Sequence, residues 1–366
     1  MDFAFSEEQE MLRRSARDFL AKECSPKVVR KLMESPDAYD SALWKKIADL
    51  GWTALGIPEQ YGGVGTFLDL VVVLEEAGRA LLPGPFFSTV VLAGSVIDAV
   101  ASSAHKQKYL APICRGETRS TVAILEANAS WNPRDIQLTA SNGKLTGEKY
   151  FVSDAAVADF IIVVALNGVF AVNSKAPGLK ISPMTAMDLT RKLYVVEFNN
   201  TPAEEIGATT NLARAFDVAT AAIAAELVGG MQRTLDITVE YAKTRKQFGK
   251  PIGIFQAVQH QCADMYLETE SSRSAVYYAG WALEENSPDA STAVSIAKMY
   301  ASDAARTVGN RGIQIHGGMG FTWENDVHLY YRRAKGSETA FGDATFHRER
   351  IASAVIDSGT VSAKSA

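Results

Sequence analysis

The chain of 366 residues has little cysteine, little histidine and no excess of positive charge. Its three cysteines, Cys24, Cys114 and Cys262, lie far apart and form no Cys-x-x-Cys pair, which argues against a disulfide framework and a zinc site. The five histidines are scattered, so we predict no metal site. A net charge of −5 argues against nucleic-acid binding by bulk electrostatics.

Long hydrophobic runs are also missing. The longest, such as Phe160–Val164 and Leu70–Leu74, are far too short to cross a bilayer. No secretory signal is visible, because the first residues run into acid without a basic segment. We therefore expect a cytoplasmic protein with no membrane partner. Its hydrophobic content of 47% is ordinary for a globular chain, and the length allows two or three domains.

The hydrophobic period changes twice along the chain. It is helical to about Gly116, with Ser6 and the acids after it marking a capped start. Short β-branched segments follow, and Ser141-Asn-Gly143 predicts a hairpin between two of them. From about Leu212 the helical period returns. We predict an α+β fold with domains at 1–118, 119–206 and 207–366. The predicted strands are Ser120–Leu125, Gln137–Ala140, Lys144–Val152, Phe160–Leu166, Val169–Val172, Leu179–Ser182 and Tyr194–Asn199.

The stretch Arg245–Gln256 joins two long apolar-periodic segments, so it is predicted to form the corner of a helical hairpin. It carries a guanidinium on Arg245, amides on Gln247 and Gln256, and a ring on Phe248. Such a set suits an anionic ligand with a planar end. The alternative is a solvated turn with a buried aromatic anchor.

A second landmark, Arg311–Glu324, has several glycines just beyond a predicted helix. Adjacent glycines such as Gly317 and Gly318 let a ligand approach the main chain, where amide N–H groups can meet phosphate oxygens. A helix C-cap followed by a turn is the alternative.

These two landmarks, with the helix–strand–helix order, resemble the acyl-CoA dehydrogenase family. Weaker matches are Pro58–Gly65 and the run from Arg333 to Lys335. The likeness covers nearly the whole chain. It implies a helical N-terminal domain, a β-barrel-like middle domain and a C-terminal four-helix bundle that forms dimers and usually dimers of dimers.

The resemblance also implies a cofactor and a reaction. FAD would lie between the middle domain and the bundle, with its diphosphate and adenine reaching a neighbouring subunit. A carboxylate would remove the α-proton of an acyl-CoA thioester while the flavin accepts the β-hydride, and an electron-transfer flavoprotein would be the acceptor. The bundle residues expected to bind FAD are Arg245, Gln247, Phe248, Gln256, Gln314, Gly317 and Gly318.

The residues expected to provide the catalytic base are missing. Phe341 stands where many members carry a glutamate, and a phenyl ring cannot accept a proton. The second known place falls on Ala219, and the arginine expected beside it falls on Thr220. The catalytic residue is therefore left open. The nearby acids, each of which is a candidate base or a solvated or capping carboxylate, are Asp217, Glu226, Glu338 and Asp343.

The middle domain also departs from the family pattern. Leu125–Asn132 replaces a loop that holds the flavin through hydroxyls and amides, and only Glu126 survives there. Further on, Ser153 is expected to bond the edge of the flavin ring and Phe151 to pack on it. The middle domain thus lacks most of the residues expected to bind FAD. The bundle keeps the residues expected to bind the FAD of a neighbouring subunit.

This unequal loss is similar to one subunit of bacterial α2β2 acyl-CoA dehydrogenases, especially those acting on steroid side-chain thioesters. That subunit completes the FAD pocket while its partner brings the base. One alternative is a self-sufficient homotetramer with the base relocated to Asp343 or Asp217. Another is a scaffold or acyl-CoA-binding homologue that has lost redox chemistry. The acyl group is not predicted.

Overall fold

The computed structural model describes residues 6–357 and has helices before and after a β-rich middle part. This order confirms the predicted α+β class. The helices are α1 Glu7–Glu23, α2 Pro26–Glu34, α3 Ser41–Asp49, α4 Phe67–Ala80, α5 Gly94–Val100, α6 Ser103–Cys114, α7 Leu212–Thr244, α8 Gln256–Glu284, α9 Ala290–His316, α10 Val327–Thr339 and α11 Ala344–Ala352.

Most of the strands belong to the middle of the chain. They are β1 Ser120–Ala123, β2 Ala140–Ser141, β3 Lys144–Ser153, β4 Phe160–Ala165, β5 Gly168–Asn173, β6 Leu179–Pro183, β7 Leu193–Pro202, β8 Glu204–Gly207, β9 Lys246–Gln247 and β10 Lys250–Pro251. The short strands β8, β9 and β10 were not predicted.

The predicted start of α1 is confirmed. The Ser6 hydroxyl accepts the backbone N–H of Gln9 at 3.2 Å, and the Gln9 side chain accepts the backbone N–H of Ser6 at 3.2 Å. This capping box satisfies two amides that a helix N-terminus otherwise leaves unpaired. Glu7, Glu8 and Glu10 follow in the first turn, where negative charge is favourable.

Contacts between Cα atoms group the chain into two compact units. One unit comprises residues 27–70 and 83–219. The described part of the other comprises residues 6–26, 71–82 and 220–357. We call them the sheet unit and the bundle unit. The predicted three-domain boundaries at 118/119 and 206/207 stay a prediction.

The sheet unit contains two four-stranded sheets, with strand orders β1-β4-β5-β8 and β2-β3-β7-β6. The predicted hairpin is confirmed, since Asn142 and Gly143 have φ angles of 48° and 69° and connect β2 to β3. Strand β2 is shorter than predicted. The amides of Gln137 and Leu138 donate to the carboxylate of Glu126, so this segment cannot extend the ladder.

Helices α4 and α7 of the bundle unit pack in very close contact. A Cβ added to Gly229 of α7 would lie 1.8 Å from the carbonyl oxygen of Glu75 of α4. One added to Gly78 of α4 would lie 2.1 Å from the carbonyl oxygen of Glu226 of α7. The two helices therefore cross backbone to backbone, at a distance that only glycine permits.

The third long helix, α9, continues past Gly312 to His316. A Cβ on Gly312 would lie 2.7 Å from the Thr234 side chain of α7, so this glycine serves close packing rather than termination. Helices α10 and α11 both pack on α9.

Candidate functional site

The chain turns sharply between α7 and α8, which confirms the predicted corner, and the short strands β9 and β10 close the turn. Lys250 pairs with Gln247 across the two strands. Between them, Phe248 and Gly249 have φ angles of 52° and 77°, a pair of left-handed residues typical of a two-residue hairpin loop. The backbone N–H of Ile252 donates to the carbonyl of Arg245 at 2.8 Å and fixes the base of the turn.

The side chains of this corner lie outside the chain's own core. The Phe248 side chain is 91% exposed and its ring lies edge-on to that of Phe255, with centroids 6.1 Å apart. The alternative of a buried aromatic anchor is therefore wrong. Arg245, Gln247 and Gln256 are exposed, and within residues 6–357 the Arg245 guanidinium has no hydrogen-bond or ion-pair partner. An unpaired guanidinium beside an exposed ring suits an anionic ligand with a planar end.

The glycine segment begins where α9 ends. Gly317 has φ 60°, and a Cβ on either Gly317 or Gly318 would meet nothing within 4 Å. The main chain is thus open to close approach at both residues. Gln314, on the last turn of α9, is exposed as well. The helix C-cap alternative is also correct for Gly317, whose N–H donates to the carbonyl of Gln314.

One contact that the sequence did not indicate joins the two landmarks. Tyr241, in the last turns of α7, stacks on His316 at the end of α9 with ring centroids 4.3 Å apart. The Tyr241 hydroxyl donates to the His316 carbonyl at 3.4 Å. Burial lowers the pKa of His316, opposed by its bond to the Gly312 carbonyl, so the ring is neutral at pH 7. The hairpin corner and the glycine segment are therefore neighbouring parts of one surface in the bundle unit.

The two places expected for the base hold no carboxylate in the structure. Phe341 lies in the turn between α10 and α11, is buried, and has the left-handed φ of 58°. Ala219 and Thr220 lie in α7 and are 0% and 1% exposed. None of these side chains can take a proton from carbon.

The nearby acids already have structural roles, or are buried. Asp343 caps α11 by accepting the N–H of Phe346 at 2.8 Å. Glu338 forms ion pairs with Lys335 at 3.1 Å and Arg306 at 3.4 Å. These contacts agree with the capping and solvated alternatives for Asp343 and Glu338. Their assignment as a base stays a prediction.

The other two candidate acids are buried. Glu226 is 5% exposed and lies 3.8 Å from the Arg333 guanidinium. Asp217 is 6% exposed. Their assignment as a base also stays a prediction.

In the sheet unit, the surviving acid of the expected flavin loop serves the fold. Glu126 accepts the amide of Leu138 at 2.9 Å and the Lys149 ammonium at 2.9 Å. The same ammonium donates to the carbonyl of Ile124 at 2.8 Å and is fully buried. Although burial disfavours its charge, these donors hold the pKa of Glu126 below its ordinary value. This acid therefore closes the loop 126–138 and is not available to a cofactor.

The two flavin-ring candidates lie at the end of β3. A register shift between Lys149 and Val152 interrupts the pairing of β3 with β7, and Phe151 within it has φ 55°. Such a bulge redirects side chains, and Phe151 is 43% exposed. Ser153 is half-buried, and its hydroxyl has no hydrogen-bond partner among the described residues. Both side chains are available to a ligand, and their role stays a prediction.

The donors present fit FAD unequally. The bundle unit offers the Arg245 guanidinium, the exposed Phe248 ring and the open backbone at Gly317 and Gly318, which suit a diphosphate and an adenine. The sheet unit offers Ser153 as a single hydroxyl, and its Glu126 is engaged elsewhere. The bundle unit thus presents side chains and backbone suited to one half of a nucleotide site, and their assignment to FAD stays a prediction.

Among residues 6–357, no cluster of three or more His, Cys, Asp or Glu side chains could hold a metal ion. Within the same residues, no helix combines the length and the apolar character needed to cross a membrane.

Family models match both ends of the chain. The acyl-CoA dehydrogenase N-terminal domain matches residues 6–117, and the acyl-CoA dehydrogenase C-terminal domain matches residues 209–356. The chain belongs to the acyl-CoA dehydrogenase family. The family resemblance and the fold that it implied are thereby confirmed, and the chain is an oxidoreductase of this family.

Several relatives match over almost their whole length. Acyl-CoA dehydrogenase IpdE2 of Mycolicibacterium smegmatis is 34% identical over 339 residues, which cover 92% of this chain and 95% of the relative. The ChsE4-ChsE5 complex from Mycobacterium tuberculosis contains a chain with a TM-score of 0.88 and 29% identity, covering 96% of this chain and 98% of that one. The FAD complex of PigA matches with a TM-score of 0.86 and 26% identity, covering 97% and 99%.

Proposed function

We propose that the chain is the subunit of an FAD-dependent, heteromeric acyl-CoA dehydrogenase that completes the flavin site of a base-bearing partner. The observation that supports this is the contrast within the bundle unit. Arg245 and Phe248 are exposed and available, whereas Phe341 and Thr220 leave no group that can take a proton. The structural likeness to a chain of the ChsE4-ChsE5 complex agrees with a heteromer.

In this proposal the bundle residues hold a cofactor whose isoalloxazine is bound by the partner. The Arg245 guanidinium neutralises the diphosphate, and the amides of Gly317 and Gly318 donate to its oxygens. Phe248 stacks on the adenine, and the amide of Gln247 bonds a polar edge. Gln256 and Gln314 border the same surface. When bound, FAD supplies the hydride acceptor of the reaction.

The proton step belongs to the partner in this proposal. A general base must lie within hydrogen-bond reach of the proton that it removes, and the two places expected in this chain hold Phe341 and Ala219. A carboxylate of the partner would take the α-proton of the acyl-CoA, FAD would supply the acceptor for the β-hydride, and the product would be an enoyl-CoA. An electron-transfer flavoprotein would be the electron acceptor of the assembly.

Flavin stoichiometry tests the proposal. The chain is purified alone and after co-expression with a homologous subunit that carries a glutamate at the position of Phe341. We expect little flavin and no enoyl-CoA from the lone chain. From the pair we expect one FAD for each two chains, and turnover with an artificial electron acceptor. One FAD per chain with full turnover in the lone protein would overturn the proposal.

The second candidate is a self-sufficient homotetramer with a relocated base. The observation that favours it is a buried carboxylate, Asp217, two residues before Ala219 on α7. Asp217→Asn and Asp343→Asn in the lone chain separate the two candidates. A fall in turnover of at least about a hundredfold in one variant supports relocation. Absence of turnover in the unchanged lone chain excludes it.

The third candidate, a scaffold or acyl-CoA-binding homologue without redox chemistry, is the cheapest to test. A co-expressed pair that stays yellow through gel filtration rules it out. A colourless pair that still binds acyl-CoA would support it.

A further inference from the structure

A buried lysine lies beside the turn that carries Phe341. Lys298 of α9 is 0% exposed. Its Nζ lies 2.9 Å from the carbonyl oxygen of Glu338, 3.0 Å from that of Gly342, and 3.0 Å from the Ser302 hydroxyl. Lysine is among the residues least often fully buried, so three polar contacts around one ammonium indicate a specific role.

A buried histidine holds the same turn from α11. His347 is 0% exposed, and its Nε2 donates to the carbonyl of Phe341 at 3.0 Å. Its Nδ1 has no hydrogen-bond partner among the described residues, which fits a neutral ring with the proton on Nε2. Lys298 of α9 and His347 of α11 thus donate hydrogen bonds to three backbone carbonyls, those of Glu338, Phe341 and Gly342.

The turn held in this way has an unfavourable backbone. Phe341 and Gly342 are consecutive residues with φ angles of 58° and 97°. A Cβ at Gly342 would lie 2.2 Å from the Phe346 ring, so that position requires glycine. A phenylalanine in the left-handed region persists only where its surroundings impose it. Ala340, the residue after α10, has an extended backbone, with φ −66° and ψ 133°.

We propose that Lys298 and His347 are positioning residues, which together fix the backbone of residues 340–343 so that the side chain at position 341 is presented in one set direction. We call these two residues the turn clamp. The inference goes beyond the proposed function, because it needs neither flavin nor a partner subunit. It implies that this backbone would present any side chain at position 341, including a carboxylate, in the same direction.

The Ser302 hydroxyl allows the clamp to work in both charge states of Lys298. A hydroxyl accepts a hydrogen bond from an ammonium and donates one to the lone pair of a neutral amine. The amine keeps two N–H groups, which match the two carbonyls of Glu338 and Gly342. Lys298 can therefore gain or lose its proton without leaving a carbonyl of the turn unpaired.

Burial lowers the pKa of Lys298 to about 7, opposed by the charges of Glu338 and Asp343. From α11, His347 and Arg350 also face this cluster. An opening of the turn that hydrates Lys298 restores its ordinary pKa and so takes up a proton between pH 7 and 10.5. Such openings become rarer as the pH rises through that window, by up to about tenfold per pH unit.

Hydrogen exchange on the full chain tests the clamp. The amides of Phe346 and His347 bond to the Oδ1 and carbonyl of Asp343, so they report on the turn. After correction for intrinsic exchange rates, we expect their open fraction to fall between pH 7 and 9 in the unchanged chain. In Lys298→Met the open fraction at pH 9 should rise about fivefold and lose this pH dependence.

Two further variants complete the experiment. Lys335→Met removes another lysine that contacts Glu338, but through its side chain, and should keep both protection and pH dependence. His347→Phe should raise the open fraction about fivefold yet keep the pH dependence, since Lys298 remains. Lys298→Met with unchanged protection and slope would overturn the proposal. If Lys298→Met does not fold, unchanged protection in His347→Phe would overturn it. Because no flavin is used, the result is independent of the proposed function.

Discussion

At the scale of single residues, the site is defined by one exposed cation and one buried ring. Arg245 has no partner within residues 6–357, although an arginine at a tight turn usually finds a carboxylate or carbonyl. Phe341 is buried where an acid was expected. Each residue makes sense if a second molecule supplies what is missing, a diphosphate in the first case and a base in the second.

Replacing Arg245 tests the first half of this reasoning. We expect Arg245→Gln to weaken FAD binding by the co-expressed pair about 10- to 100-fold, the effect of losing a charged hydrogen bond. Lys243→Gln is the matched control, because Lys243 is exposed on the same corner but paired with Glu240. Flavin retained after gel filtration measures the effect. Equal losses in both variants would mean that only general positive charge is involved.

Replacing Phe341 tests the second half. Phe341→Leu removes a ring but adds no proton acceptor, so we expect turnover of the pair to stay within about twofold, and stability to fall by about 1 kcal/mol. Steady-state kinetics and urea unfolding give the two values. Loss of turnover at unchanged stability would show that the ring itself takes part in the reaction.

The buried imidazole of the turn clamp predicts an acid response. Burial, with the nearby charges of Lys298 and Arg350, lowers the pKa of His347 to about 4. The unfolded chain binds this proton near pH 6.5, so the stability that this group contributes is present above pH 6.5 and lost as the pH falls toward 4. The loss is at most about 3 kcal/mol. Unfolding of His347→Phe should lack this part of the pH dependence, and identical pH curves would contradict the assignment.

At the scale of elements, the closest packing is the crossing of α4 and α7. Gly78 and Gly229 bring the two backbones together, as described above. The next residue, Gly230, has no atom closer than 3.9 Å to an added Cβ. Gly229 therefore has no room for a side chain, whereas a Cβ fits at the adjacent Gly230.

Alanine at these two positions should have opposite effects. We expect Gly229→Ala to lower the free energy of unfolding by about 3 kcal/mol or more, because its Cβ would overlap the Glu75 carbonyl. Gly230→Ala should be neutral or stabilise by up to about 1 kcal/mol through helix propensity. Urea unfolding compares the two. A mild effect at Gly229 would mean that the helices can separate.

An element could be predicted from the sequence when the interactions that form it join residues close together in the chain. The cap at Ser6 and the hairpin at Asn142 and Gly143 depend on neighbours in sequence, and both were predicted, although the part of Gln9 in the cap was not. Helix α10 was missed, because its residues Val327–Thr339 mix tyrosine, arginine and glycine without a clear apolar stripe. Strand β8 was missed for lack of length.

The same distinction between local and long-range interactions applies to the candidate site. The exposed corner between α7 and α8 was singled out because its residue types are unusual for a turn, and its ligand stays a prediction. The turn clamp was not, because Lys298 bonds carbonyls forty and forty-four residues away. Glu126 matched the family motif by position, and its engagement by Lys149 was visible only in three dimensions.

At the scale of the whole molecule, the first half of α8 remains uncovered. Tyr266 and Leu267 are 57% and 62% exposed, whereas Met265 and Thr269 of the same helix are buried. Large apolar side chains exposed along one helix indicate an interface with another chain. This agrees with the bundle dimer that the resemblance implies, which stays a proposal.

A charge on this surface should disrupt assembly without unfolding the chain. We expect Leu267→Glu to shift the sedimentation of the co-expressed pair to smaller species, while the melting temperature of the lone chain stays within about 2 °C. Ser274→Glu, an exposed position on the same helix, is the control. Unchanged assembly in Leu267→Glu would place the interface elsewhere.

The exposed ring at the hairpin corner bears on how such a protein is made. Phe248 is held outward by a left-handed residue in a two-residue loop, so it cannot fold back onto its own helix pair. In a cell, a chain synthesised without a partner subunit would expose this apolar ring to non-specific contacts with other proteins. In the proposed heteromer, synthesis of the two subunits in matched amounts would keep this ring covered and limit aggregation.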